Sequence, residues 1–169
     1  MIKPKIKFPD LVVALTNGTQ WSLSAQKNDT FTMLVFYRGL HCPVCKKYLE
    51  ELKTKLDAFS DKGVHLVAIS CDSEARAKKT AASWDISEIP LAYDLQITKA
   101  RELGLFISNG ISDKEPDAFS EPAVFLIKPD QTLYASAIQS MPFARPNWED
   151  ILNAVDFISK KEYPARGGA

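Results

Sequence analysis

Apolar and polar residues change their period several times along the chain, and each change marks an element. Leu11 to Leu15, the turn signal Asn17-Gly18 and Trp21-Ser22-Leu23 predict a short N-terminal β-hairpin capping one end of a sheet. Residues 31–37 are almost wholly apolar, as a buried strand requires. Leu49, Leu52, Leu56 and Phe59 then recur at helical spacing among Lys and Glu over residues 48–60, up to Gly63. Residues 64–70 predict a second buried strand, and Asp72-Ser73-Glu74 is the start signal of an alanine-rich helix reaching about Trp84. A short strand at 89–94, a helical turn or two at 98–103 and a polar surface loop at 109–120 follow. Residues 123–128, the turn Pro129-Asp130 and residues 133–138 predict an antiparallel hairpin. Asn147 caps a final helix that carries Trp148, Ile151, Leu152, Val155 and Ile158 on one face and ends at Lys160-Lys161. Strand, helix, strand, helix in this order implies parallel strands with right-handed crossovers, hence an α/β fold: a central mixed β-sheet flanked by helices.

Length and charge narrow the function. The 169 residues suit one domain over 1–169, with no internal repeat to divide it. Lys plus Arg and Asp plus Glu stand at 21 each, so there is no basic field for nucleic acid or an anionic membrane. The basic N-terminal residues are not followed by an apolar leader, and the expectation is a cytoplasmic protein with neither nucleic acid nor membrane as partner. Three cysteines do not make a disulfide-stapled secreted domain; in a reducing compartment a close pair is catalytic, redox-sensing or metal-binding.

That close pair is Cys42-Pro43-Val44-Cys45, between the strand at 31–37 and the helical stripe. A Cys-x-x-Cys that opens a helix behind a strand is the sequence form of a thioredoxin-type redox site, because free N–H groups and the positive dipole end stabilise a thiolate. The dithiol chemistry assigns Cys42, the more exposed sulfur, as nucleophile and Cys45, one turn into the helix, as resolving thiol. Pro43 at the first helical position costs no hydrogen bond and fixes the turn. Arg38 and His41 flank the nucleophile, and a cation there lowers a thiol pKa from about 8.5. The same pair is also half a zinc site; Cys71 and His65 complete an inventory of four, but without recognisable ligand spacing, so the reading carries no metal and no cofactor. Cys71, at the end of a strand, is expected in the core, Trp21, Trp84 and Trp148 in packing, and Arg145, between Phe143 and Pro146, in solvent or a structural contact, with a place near the thiols as the alternative.

Strand, Cys42-Pro43-Val44-Cys45, helix, strand, helix and then Pro122 ahead of a strand and hairpin resemble the thioredoxin superfamily. The N-terminal hairpin and Asp10-Leu11 bring the frame closer to its peroxiredoxin branch, the AhpC/TSA redoxin-like proteins. The runs from Phe36 to Pro43, Phe119 to Pro122, Ser140 to Pro146 and Tyr163 to Gly167 resemble a narrower peroxiredoxin-like group. The resemblance implies a thioredoxin-like, peroxiredoxin-type fold. Peroxiredoxins carry a Pro-x-x-x-Thr-x-x-Cys signature and a distant Arg that polarises peroxide. Laid on this chain, the signature places the Pro at Arg38, the Thr at Cys42 and the attacking Cys at Cys45, while the Arg falls on Pro122. Thioredoxins keep a cis-proline at that place, so the resemblance implies a cis Glu121–Pro122 bond that shapes a substrate groove.

The resulting expectation is a thiol-disulfide oxidoreductase that cycles Cys42 and Cys45 and acts on protein or small-molecule disulfides, recharged by a thiol reductant. A thiol peroxidase acting on hydroperoxides is the first rival, since peroxide drives the same disulfide. The second is a redox-sensing interaction domain, with a homodimer surface running from Met141 to Trp148.

Overall fold

The structure, a computed structural model, describes residues 2–27 and 29–169. Its main sheet has seven strands: β1 (Val12–Leu15), β2 (Gln20–Ser22), β3 (Phe31–Phe36), β4 (Val64–Ile69), β5 (Leu91–Tyr93), and then β8 (Ala123–Ile127) and β9 (Leu133–Ile138). They lie in the order β2-β1-β5-β4-β3-β8-β9. The three strands β3, β4 and β5 are parallel, as the crossover order requires, and β8 joins β3 antiparallel. The hairpin β1-β2 forms one edge.

Side chains of β3 alternate between two cores. Phe31, Met33, Val35 and Tyr37 face α1 (Pro43–Lys53) and α5 (Trp148–Lys161), meeting Leu49, Leu52, Trp148, Leu152 and Val155. Leu34 and Phe36 face the other way, onto Phe8, Leu11, Phe125 and, from α4 (Ile97–Glu102), Ala100. The sheet therefore carries helices on both faces, as expected for the thioredoxin-like, peroxiredoxin-type fold. The three tryptophans are buried in these cores, Trp148 completely. A surface built from Met141 to Trp148 thus cannot include its last residue.

The helical stripe at 48–60 proves to be two helices. The first begins earlier, at Pro43, because Cys42 caps it; it stops where the Thr54 hydroxyl donates to the Glu51 carbonyl at 2.7 Å. A short α2 (Leu56–Asp61) follows, and Gly63, at φ 69°, turns the chain into β4. After β4, Ser73 rather than Asp72 caps α3 (Glu74–Ser83), which leaves the Asp72 carboxylate free to point inward.

The expected surface loop at 109–120 instead holds a second small sheet. β6 (Ile107–Asn109) pairs antiparallel with β7 (Ala118–Ser120), and Phe119 between them is fully buried. Three-residue strands are too short to show a period, and the polar turn joining them hides the return. No helix among the described residues is long and apolar enough to cross a membrane.

Candidate active site

The carboxyl ends of the parallel strands β3 and β4 lie side by side, and the loop 38–42 leaves β3 there. Gly39 takes φ +130°, and a Cβ on it would lie 2.6 Å from Asp72 Oδ2. Asp72 cannot yield: it is buried, accepts from the Leu40 N–H at 2.7 Å and pairs with Arg76 Nε at 2.7 Å. Gly39→Ala is expected to destabilise the protein by about 1–3 kcal/mol, read as a lower urea midpoint at unchanged slope. A midpoint within 0.3 M of the parent, roughly the noise of such a fit, would show that Asp72 does not clamp the loop.

So clamped, the chain enters α1 with Cys42 as cap. Its Sγ accepts from the Cys45 N–H at 3.2 Å, and Pro43 occupies the first turn. The two Cα atoms are 5.2 Å apart and the sulfurs are joined. Cys42 does not stand out as the exposed partner: it is 1 % exposed and Cys45 0 %. Both sulfurs belong to the core under the sheet, and the segment after β9 brings Arg145 to them, which the local Cys-x-x-Cys pattern cannot reveal.

That segment carries Arg145, whose Nη2 lies 3.0 Å from Cys45 Sγ and 3.9 Å from Cys42 Sγ. Its guanidinium sits over the Tyr48 ring at 4.9 Å, and Nε donates to the Pro142 carbonyl at 2.8 Å. Burial pulls the Arg145 pKa down to about 10, so the group is still a cation at neutral pH. Tyr48 fastens the neighbouring residue by donating to the Pro146 carbonyl at 2.7 Å, stacks on Trp148 at 4.2 Å, and accepts the Trp148 indole N–H at its own carbonyl. The alternative placement of Arg145, near the thiols rather than in solvent or a structural contact, is therefore the one observed, and it is the charged group at the sulfurs.

Arg38 and His41, expected to supply that charge, are engaged elsewhere. Arg38 is paired with Glu121 at 3.3 Å, without hydrogen-bond alignment, and with Glu115 at 3.8 Å, and lies over the Phe119 ring. His41 has its Nδ1 3.4 Å from Arg76 Nη2 and its ring against Phe119. Burial first, and Arg38 second, push its pKa below the ordinary value, so the imidazole is neutral at neutral pH. These residues tie the Cys-bearing loop to the β6–β7 hairpin. Glu121 is itself buried and accepts the Ser108 hydroxyl at 2.6 Å.

The Glu121–Pro122 bond is trans, not cis: no peptide bond among the described residues is cis. The reason is local. The Glu121 N–H donates to the Phe106 carbonyl and the Pro122 carbonyl accepts from Gln139, so the chain runs extended from β7 into β8. Pro122 nevertheless lines one narrow cleft with Tyr48, Arg145 and Pro146. Cys71 is half-buried against the second core, where burial raises its thiol pKa. His65 is exposed, on the inner strand β4.

Comparisons with known proteins agree with this architecture. The pattern described as the AhpC/TSA family matches residues 4–136. A 1-Cys peroxiredoxin of Dirofilaria immitis is 26 % identical over 170 residues, spanning 90 % of this chain and 72 % of that protein. Among solved structures, a mutant of the peroxiredoxin 6 of Arenicola marina superposes with TM-score 0.78 at 22 % identity, covering 96 % of this chain and 76 % of that one. AhpC of Mycobacterium tuberculosis gives TM-score 0.78 at 14 % identity over 100 % and 99 % of the two chains.

Proposed function

Since the chain belongs to the AhpC/TSA family and is a thiol-dependent oxidoreductase, we propose that it is a thiol peroxidase in which Cys45 attacks a hydroperoxide and Cys42 resolves the product. The observation that carries this reading is the Arg145 guanidinium 3.0 Å from Cys45 Sγ and farther from Cys42. Two further points favour it. In the family signature the attacking position falls on Cys45, and the relative from Dirofilaria immitis bears the name peroxiredoxin.

Cys45 is the third residue of α1, where the first-turn N–H groups and the Arg145 charge both favour a thiolate against the cost of burial. The thiolate attacks the nearer peroxide oxygen; the O–O bond breaks, and the leaving oxygen takes a proton to become water or an alcohol. Cys45 is then a sulfenic acid. The Cys42 thiol displaces that hydroxyl as water and closes the disulfide, and two external thiols reopen it while forming a disulfide of their own. Arg145 polarises the peroxide, taking the part of the arginine that the family pattern would place at Pro122. Pro122 and Tyr48 shape the cleft beside it, Pro43 sets the turn, and Arg38 and His41 position the loop.

Reduction of disulfide substrates loses two of its sequence supports, a more exposed Cys42 and a cis Pro122. The two activities separate in one comparison. The reduced protein is mixed with one equivalent of hydrogen peroxide or of a protein disulfide, and the rate of Cys42–Cys45 closure is followed by quenched alkylation. Peroxide is expected to close the pair faster; faster closure by the disulfide would refute the peroxidase reading.

A further inference from the structure

Arg145 is a half-buried cation without a counterion: no ion pair among the described residues includes it, and its Nη1 is buried without a hydrogen-bond partner. It stands 3.0 Å from a Cys45 sulfur that is already joined to Cys42, so no thiolate draws it in. Something else fixes its place.

The Tyr48 ring lies against the guanidinium at 4.9 Å, and the Tyr48 hydroxyl donates to the carbonyl of Pro146, the next residue along, at 2.7 Å. Burial raises the Tyr48 pKa, so the hydroxyl keeps its proton and remains a donor. Tyr48 is itself held, since its ring stacks on Trp148 at 4.2 Å and its carbonyl accepts from Trp148 Nε1 at 2.9 Å, and Trp148 is fully buried. Helix geometry does the rest. Tyr48 follows Cys45 by three residues on α1, so the two share a face, and the ring that carries the guanidinium has a fixed place relative to the Cys45 sulfur.

We propose that Tyr48 is the positioning residue for Arg145: its ring stands in for a counterion and its hydroxyl anchors the backbone, so the guanidinium is at Cys45 before any anion forms there. A donor held in advance needs no reorganisation when charge develops on the sulfur and the departing oxygen. This role rests on the peroxidase reading for its reaction, but the positioning itself can be read without peroxide.

The test is made in Cys42→Ser, where reduced Cys45 stands alone at the site. Two readouts are taken: the single-turnover rate of hydrogen peroxide attack, and the pH midpoint of iodoacetamide alkylation at the Cys45 peptide. Tyr48→Phe, which keeps the ring and loses the hydroxyl, is expected to slow the attack about fivefold, the scale of one net hydrogen bond, and to move the midpoint up. Tyr48→Leu, which loses the ring as well, is expected to slow it about 30-fold, with folding of both variants checked by their thermal transitions. Once Arg145→Ala is present, neither Tyr48 substitution is expected to move the rate or the midpoint further, because Tyr48 acts only through the guanidinium. Tyr48→Phe matching its parent in both readouts, or a Tyr48 effect of the same size with and without Arg145, would overturn the role. An Arg145-dependent midpoint shift with no peroxide attack in any variant would uphold it and refute the peroxidase reading instead.

Discussion

Cys45→Ser is expected to lower catalytic hydroperoxide consumption by at least about 1,000-fold, as loss of a nucleophile does, whereas Cys42→Ser consumes a single equivalent and stops when no thiol is added. The asymmetry follows from the two sulfurs' surroundings. Cys45 has the guanidinium at 3.0 Å and lies in the first turn of α1, while Cys42 Sγ is 3.9 Å from that group and is occupied by the Cys45 N–H. A serine hydroxyl at 45 does not ionise near neutral pH. A serine at 42 leaves the attack intact but removes the only thiol placed to displace the sulfenic hydroxyl. Peroxide consumption in excess added thiol checks Cys45→Ser, where multiple turnovers at the parent rate would exclude its role, and peroxide remaining without added thiol checks the single equivalent taken by Cys42→Ser.

Arg145→Ala carries the second large effect: hydroperoxide attack slowed by about 100-fold, the scale seen when a preorganised donor is removed from a transition state. The thiol itself should also change. Without the cation, only the first-turn N–H groups of α1 offset burial at Cys45, and its thiol pKa moves up. The rate of iodoacetamide alkylation against pH reads this in the reduced protein, with its midpoint shifting to higher pH in Arg145→Ala. Arg145→Lys keeps the charge but loses the planar fork, so it should restore the midpoint better than the peroxide rate. A peroxide rate reduced less than threefold, with an unmoved alkylation profile, would make Arg145 a structural residue only.

Most of the architecture was readable because each central element carries its own period. The apolar run of β3, the stripe of α5, the Asn17-Gly18 turn and the Asn147 cap are local signals that lead to elements where expected, while the stripe at 48–60 divides between α1 and α2. The Cys pair was legible for the same reason, since a strand ending at a Cys-x-x-Cys is a contiguous pattern. What escaped was non-local or inverted. Arg145 meets Cys45 across 100 residues, and nothing in an exposed-looking Phe-Ala-Arg-Pro stretch says which way the guanidinium turns. Its placement between Pro142 and Pro146, two residues before the Asn147 helix cap, was the available hint. Asp72 read as part of a helix start but turns inward to hold Leu40, and the polar stretch 109–120 hides Phe119 and the carboxylate of Glu115 that reaches Arg38. Charges buried in pairs look, in sequence, like charges in water.

The assignment of Cys45 as the residue that peroxide oxidises is tested most directly by locating the sulfenic acid. Reduced Cys42→Ser is treated with one equivalent of hydrogen peroxide in the presence of dimedone, digested, and the adduct mapped by mass spectrometry, with Cys45→Ser run alongside. The account predicts the adduct on Cys45 in the first variant and none on Cys42 in the second; an adduct on Cys42 in Cys45→Ser, with Cys45 unlabelled in its counterpart, would contradict it.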